Sequence, residues 1–186
     1  VLGRFGGRDA DTPGKYQTLV ALRRSLEANL ERFREHDPSR TERRMPMFAE
    51  DYPAADRRPA DSCIHCHHVN EYRRDFLLRK EEWNLDEVWV YPQPENLGLT
   101  IDAEQGDRIA SVQPRSPSAL LGIAAKHRLT RVNGNPIASV MDLQHALHRA
   151  PRHGKVPIEW HDGGQPQAGF LELKEGWRRT DVSWRW

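Results

Sequence analysis

Cysteine is the scarcest chemistry-bearing residue here: 186 residues contain only two, Cys63 and Cys66. A second cysteine pair at zinc-finger spacing is therefore absent. No run of about 18 apolar residues occurs, so no segment reads as a membrane-spanning helix. Charge of one sign is also lacking. With 28 basic and 27 acidic residues the net charge is +1, which provides no overall field for nucleic acid or an anionic membrane. The basic pairs Arg43-Arg44, Arg57-Arg58 and Arg73-Arg74 are interleaved with Asp or Glu and read as solvated faces. No G-x-S-x-G surrounds a serine, so no protease site is expected. The chain opens on neither Met nor a secretory leader. Its first residues, VLGRFGGRD, and its last, VSWRW, read as parts of something longer.

What is present falls into three stretches. Thr12-Pro13 has the form of a helix start, and Leu19, Leu22, Leu26, Leu30 and Phe33 follow at three- and four-residue steps. This pattern predicts a helix with one apolar stripe, ending near His36 ahead of Asp37-Pro38. Residues 37–61 are charged and proline-rich, without a sustained period, and predict an irregular connector. Its one apolar cluster, Met45, Met47 and Phe48, is expected to pack on the first helix. A second helix is expected from Asp61 or Ser62, with Val69, Tyr72, Phe76 and Leu77 at helical spacing.

After Trp83 the pattern changes to short strands, EVWVYP, LGLTIDA, RIASV, HRLTRVNG, VPIEWHDGG and AGFLEL, with helices at SPSALLG and SVMDLQHALHR. The predicted class is α+β. A helical segment covers 1–83, a small β-barrel or sandwich with two helices covers 84–176, and 177–186 form a tail.

Cys63-Ile64-His65-Cys66-His67 is C-x-x-C-H, the attachment signature of c-type haem. Thiols three residues apart on a helical turn reach two vinyl groups of one porphyrin, and the next imidazole turns onto the iron. The reading is one haem c, with Cys63 and Cys66 in thioether bonds and His67 as proximal ligand. His65 faces away, and His68 is too close to reach the opposite ring face. Met47 is the candidate sixth ligand, with Met45 and His36 as alternatives. Zinc remains open if Cys63 and Cys66 are joined by His67 or His68 and by His36 or another distant histidine. A redox disulfide would need a thioredoxin-like strand before the motif, where the sequence has PAADRRPADS. Haem attachment places maturation in the periplasm or an equivalent secreted compartment.

The second half resembles a PDZ domain. The likeness rests on Leu97-Gly98-Leu99-Thr100, Ile109-Ala110-Ser111-Val112, Pro114-Arg115-Ser116-Pro117-Ser118-Ala119, Leu129 to Ile137 with Asn133-Gly134, and Val140 to His148, in that order. It implies a fold that accepts an extended peptide as an added strand between the Leu99 strand and the second helix. The Leu97, Gly98 and Leu99 amides would meet a terminal carboxylate. Lys126-His127 stands where the family usually has Gly-Asp. The joining of C-x-x-C-H to a PDZ domain is similar to the magnetochrome proteins of magnetite-forming bacteria. It also resembles secreted planctomycete-type cytochrome c/PDZ proteins with CIHCH, YP-P-ENLGL and GWR-TD-SWR. No activity carries over from that likeness; the function read from the C-x-x-C-H motif and the PDZ-like module together is electron transfer outside the cytoplasm, with the PDZ module docking a redox partner or larger assembly. A structural subunit braced by haem or zinc is the alternative. A haem sensor or peroxidase ranks behind both, because no distal Arg-His pair is legible.

Overall fold

The computed structural model describes residues 2–7, 12, 14–35, 51 and 66–180. Among them are four α-helices and six strands, which divide between two compact units, residues 1–36 with 88–186 and residues 37–87. The first helix thus belongs to the β-rich unit, whereas the 1–83 division had grouped it with the cysteine segment.

In the larger unit α1 spans Leu19–Glu35. It begins later than Thr12-Pro13 suggested, because Thr18 caps it. The Thr18 Oγ accepts from the Ala21 N–H at 3.1 Å, while Thr12 closes a separate turn with Lys15. The leucine stripe is not its buried side. Ala21 and Ser25 are buried, and Leu19, Leu26, Leu30 and Phe33 are exposed.

Strands β1 (Leu99–Ile101) and β2 (Ile109–Val112) form one antiparallel sheet. The second sheet has the order β4-β3-β5-β6, from β3 (Arg128–Val132), β4 (Asn135–Pro136), β5 (Gly154–Asp162) and β6 (Gln165–Leu173). The expected barrel is not closed. The two sheets are linked by an Arg108–Arg128 bridge and by main-chain hydrogen bonds from the Ile109 N–H to the His127 carbonyl, the Lys126 N–H to the Ile109 carbonyl and the Leu129 N–H to the Asp107 carbonyl. EVWVYP is not a strand either. Pro92 and Pro94 have no N–H to offer a ladder, Tyr91 takes a positive φ of 51°, and a 3-10 turn follows at Pro94–Leu97.

Helices α3 (Pro117–Leu120) and α4 (Val140–His148) start where Ser116 and Ser139 cap them, their Oγ atoms accepting from the Ala119 and Asp142 amides. Leu143, Ala146 and Leu147 of α4 pack against Leu97, Leu99, Ile101, Val132, Val156 and Ile158 in one core. At about 1.5–3 kcal/mol for each large side chain removed from water, this packing is the main source of the unit's stability.

Tight turns follow local chemistry. Asn133 and Gly134 both have positive φ, as a two-residue type I′ hairpin between β3 and β4 requires. At Lys126-His127 the turn survives its unusual residues. Lys126 takes φ 73°, the His127 Nδ1 accepts from the Ala124 N–H, and the His127 Nε2 lies 3.1 Å from Asp162. A side chain in that left-handed conformation is strained. Lys126→Gly is therefore expected to raise unfolding free energy by about 0.5–1 kcal/mol in urea titrations, and a loss would refute the strain.

In the smaller unit α2 spans Cys66–Arg79. Tyr72 is its buried aromatic, with the His68 ring 5.9 Å away. After the helix, Trp83 lies under Arg74 and the Arg73 guanidinium pairs with Glu87 at 3.0 Å.

Candidate peptide-docking edge

The segment entering β1 is shaped by Gly98. Its φ is 78°, and a Cβ there would fall 2.2 Å from the Ser116 Cβ, so both conformation and space demand glycine. The Gly98 N–H donates to the Glu95 carbonyl at 2.9 Å, inside the 3-10 turn. Of the amides considered for a terminal carboxylate, Gly98's is thus engaged internally.

Leu99 is placed differently. The Gln113 N–H donates to the Gly98 carbonyl at 2.7 Å, which makes Leu99 and Val112 a non-hydrogen-bonded pair. The N–H and C=O of Leu99 consequently point away from β2. Ile101 repeats the pattern, since the Asp102 N–H takes the Arg108 carbonyl beside the Ile101–Ile109 pair. Because β1 has β2 as its only strand neighbour among the described residues, Leu99 and Ile101 present an open main-chain edge. The Leu97 and Leu99 side chains are fully buried and fix that edge on the core.

Both ends of α4 are held by the chain itself. At its N-terminus the Met141 N–H donates to the Gly6 carbonyl, and Gly7 packs so tightly that a Cβ would lie 2.7 Å from Val140. Asp142, 3% exposed, accepts from the Arg4 N–H at 2.8 Å and the Ala138 N–H at 3.2 Å. The Arg32 and Arg4 guanidinium groups approach it at 3.8 and 4.0 Å. Burial raises the Asp142 carboxyl above the usual range, against the lowering effect of these N–H groups and arginines. At the other end Tyr91 stacks on His148 with centroids 4.5 Å apart, and its ring is 6.4 Å from that of His145. His145 is shifted down, first by burial and then by Arg4 and Arg149.

Residues past β6 brace the same end. The Asn96 side chain donates to the Trp177 carbonyl, the Trp177 indole donates to Pro151, and Arg178 donates to the His148 and Ala150 carbonyls. The Trp89 indole donates to Thr180. The expected tail is therefore packed through Thr180. Gln93, just ahead of the turn, is buried with its Nε2 unpartnered among the described residues.

Of the residues singled out in the sequence, the structure brings Leu97, Gly98 and Leu99 together at this edge. Cys63, Met45, Met47 and His36 lie outside the described residues. Cys66 and His67 are on the first turn of α2, described as backbone only. A thiol and an imidazole at adjacent positions of a helical turn fit the donor chemistry of haem attachment. Among the described residues no group of three or more His, Cys, Asp or Glu could hold a metal ion. No described helix is long and apolar enough to cross a membrane. Sequence reasoning missed Tyr91, Asp142 and its arginines. Only Asp142 had a signal: Ser139-Val140-Met141-Asp142 has the serine-to-acid spacing of a capping box.

Comparison with known proteins identifies the region. Residues 88–159 match the PDZ domain family, and the chain contains a PDZ domain there. A crystal structure of the serine endoprotease from Yersinia pestis is similar at 24% identity, covering 41% of this chain and 27% of that one, with a TM-score of 0.37. The match thus spans well under two thirds of the endoprotease. No curated protein matches the chain.

Proposed function

We propose that this chain is a docking electron carrier: its PDZ domain takes up a segment of a partner protein, and its C-x-x-C-H segment carries one haem c outside the cytoplasm. The observation that carries the docking half is the open edge at Leu99 and Ile101, where an extended peptide gains main-chain hydrogen bonds by adding as a strand. The electron-transfer half rests on Cys63, Cys66 and His67 in sequence. Haem, when bound, supplies one-electron chemistry. The protein's part is to hold it by two thioether bonds and one imidazole, and to bring it to a partner by a separate domain. Met47 is the proposed sixth ligand, with Met45 and His36 as alternatives.

A second reading has support from α1. Its exposed leucines favour an assembly subunit in which haem or zinc braces an interaction domain.

Two measurements test the proposal. Protein produced with c-type maturation is expected to show a sharp alpha band on reduction and to keep its colour through acidic acetone. A colourless protein containing zinc refutes the carrier. Titration with a pool of C-terminal peptides is expected to shift the Leu99 and Ile101 amides, and unchanged amides would remove the groove reading.

A further inference from the structure

Among the described residues the leucine stripe of α1 is the largest discrepancy between sequence pattern and burial. Leu19, Leu26, Leu30 and Phe33 are 82%, 61%, 49% and 64% exposed. The helix cannot roll to hide them, because its other side is occupied. Ser25 Oγ donates to the Arg4 carbonyl, the Asn29 side chain lies against Gly3, and Arg32 donates to the Leu2 carbonyl while facing Asp142. Along the stripe runs a shallow depression of about 300 Å³, lined by Leu19, Leu22, Arg23, Leu26, Glu27 and Leu30.

We infer that α1 is a self-association helix, pairing antiparallel with α1 of a second copy of this chain about a two-fold axis at Leu26. The apolar residues themselves are symmetric about that point. Leu22 and Leu30 stand four residues to either side of Leu26, and Leu19 and Phe33 stand seven. A two-fold there sets Leu26 against the partner's Leu26, Leu22 against the partner's Leu30, and Leu19 against the partner's Phe33. Such a two-fold joins like patches, as closed dimers do.

Charge agrees with the same register. Arg23, Glu27 and Glu31 share one flank of the stripe, at about 60°, 100° and 140° around the helix from Leu26. In an antiparallel pair this flank meets its own copy. At 1.5 Å per residue, Arg23 then lies level with the gap between the partner's Glu27 and the partner's Glu31, about 3 Å along the axis from each. Each arginine gains a carboxylate partner besides the internal Arg23–Glu27 pair at 2.8 Å, and so stands beside the two Glu27 carboxylates, which the same register brings to about 3 Å of each other along the axis. The opposite flank, at Thr18, Ser25 and Asn29, brings no like charges together. The seam is short, about 25 Å for 17 residues, at the low end of interface sizes. The dimer is accordingly a weak one, with Kd on the order of 10–100 µM.

Sedimentation of the 186-residue chain from about 5 µM to 1 mM tests it. The expected result is a rise from monomer to dimer mass, abolished by Leu26→Glu and weakened at least tenfold by Arg23→Glu. Combining Arg23→Glu with Glu27→Arg and Glu31→Arg is expected to restore dimerisation. Leu26 makes no contribution to the core, so the variant's PDZ amide spectrum should be unchanged. A wild-type chain that is monomeric at 1 mM overturns the inference. In that case a Leu26→Glu variant of lowered stability assigns the stripe to another part of this chain, and one of unchanged stability assigns it to a different protein. A dimer that survives Leu26→Glu, or a triple charge variant no better than Arg23→Glu, overturns it as well.

Discussion

Asp142→Ala is expected to lower the unfolding free energy by about 3 kcal/mol, because it strips a buried acceptor from several donors at once. The carboxylate accepts from the Arg4 and Ala138 amides, and each N–H left buried without a partner costs about 1–3 kcal/mol. It also sits between Arg32 and Arg4, whose approach to α4 would lose its reason. The Ser139 cap on α4 remains, so the loss should appear as release of residues 2–7 and α1 rather than melting of α4. Hydrogen exchange reads this directly. Faster exchange at Arg4 and Met141 with an unchanged Leu143 amide is the expected pattern, and a cost below 1 kcal/mol would show that the clamp holds nothing.

Asp142→Asn keeps one acceptor and is expected to cost less. Its pH dependence follows from the raised carboxyl pKa. A folded state that holds the proton more tightly than the unfolded chain gains stability from this group below the ordinary Asp value of about 3.9. It loses that gain as pH rises through the folded value. Wild type relative to Asp142→Asn should therefore be more favoured near pH 3 than near pH 7.

The parts of the fold that were legible in sequence are those dictated over a few residues. Asn133-Gly134 supplies two positive φ angles, Ser116 and Ser139 supply caps, and the alternation of Val156, Ile158 and Trp160 marks the inward face of β5. What failed to read depends on partners distant in sequence. EVWVYP has β-forming side chains, but Tyr91 is drawn onto His148, 57 residues away, and Trp89 onto Thr180. The α1 period located a helix correctly but not its buried face. A periodic stripe shows that a face is apolar, whereas Gly3, Arg4 and Asp142 decide which face is used, and they favour small and polar partners at Ser25, Asn29 and Arg32. The entry into β1 at Leu97, Gly98 and Leu99 was legible through the resemblance to PDZ domains, which rests in part on Leu97-Gly98-Leu99-Thr100. That the Gly98 amide turns inward to Glu95 is a property of the 3-10 turn, and only coordinates reveal it.

If the C-x-x-C-H segment carries haem c as proposed, Cys63→Ser combined with Cys66→Ser is expected to abolish covalently retained haem completely, since each thioether bond needs its thiol. Single substitutions should leave one bond and a shifted alpha band. His67→Ala retains both thiols, so attachment can persist while the imidazole of the iron is lost. The expected signature is colour that survives acidic acetone with an altered reduced spectrum. Met47→Leu separates the remaining alternatives. If Met47 is the sixth ligand, its loss lowers the reduction potential by about 0.1 V or more, within the roughly 0.8 V that axial ligands span, and opens the iron to carbon monoxide. An unchanged spectrum and potential would transfer the role to Met45 or His36, which the corresponding Met45→Leu and His36→Ala variants then distinguish. The PDZ half provides the internal control. Among the described residues its core is built from Leu97, Leu99, Leu143 and Leu147 with none from α2, so all of these variants should leave the Leu99 and Ile101 amides where they are. Loss of the PDZ spectrum together with the haem would instead make the cofactor a structural brace, and the scaffold reading would replace electron transfer.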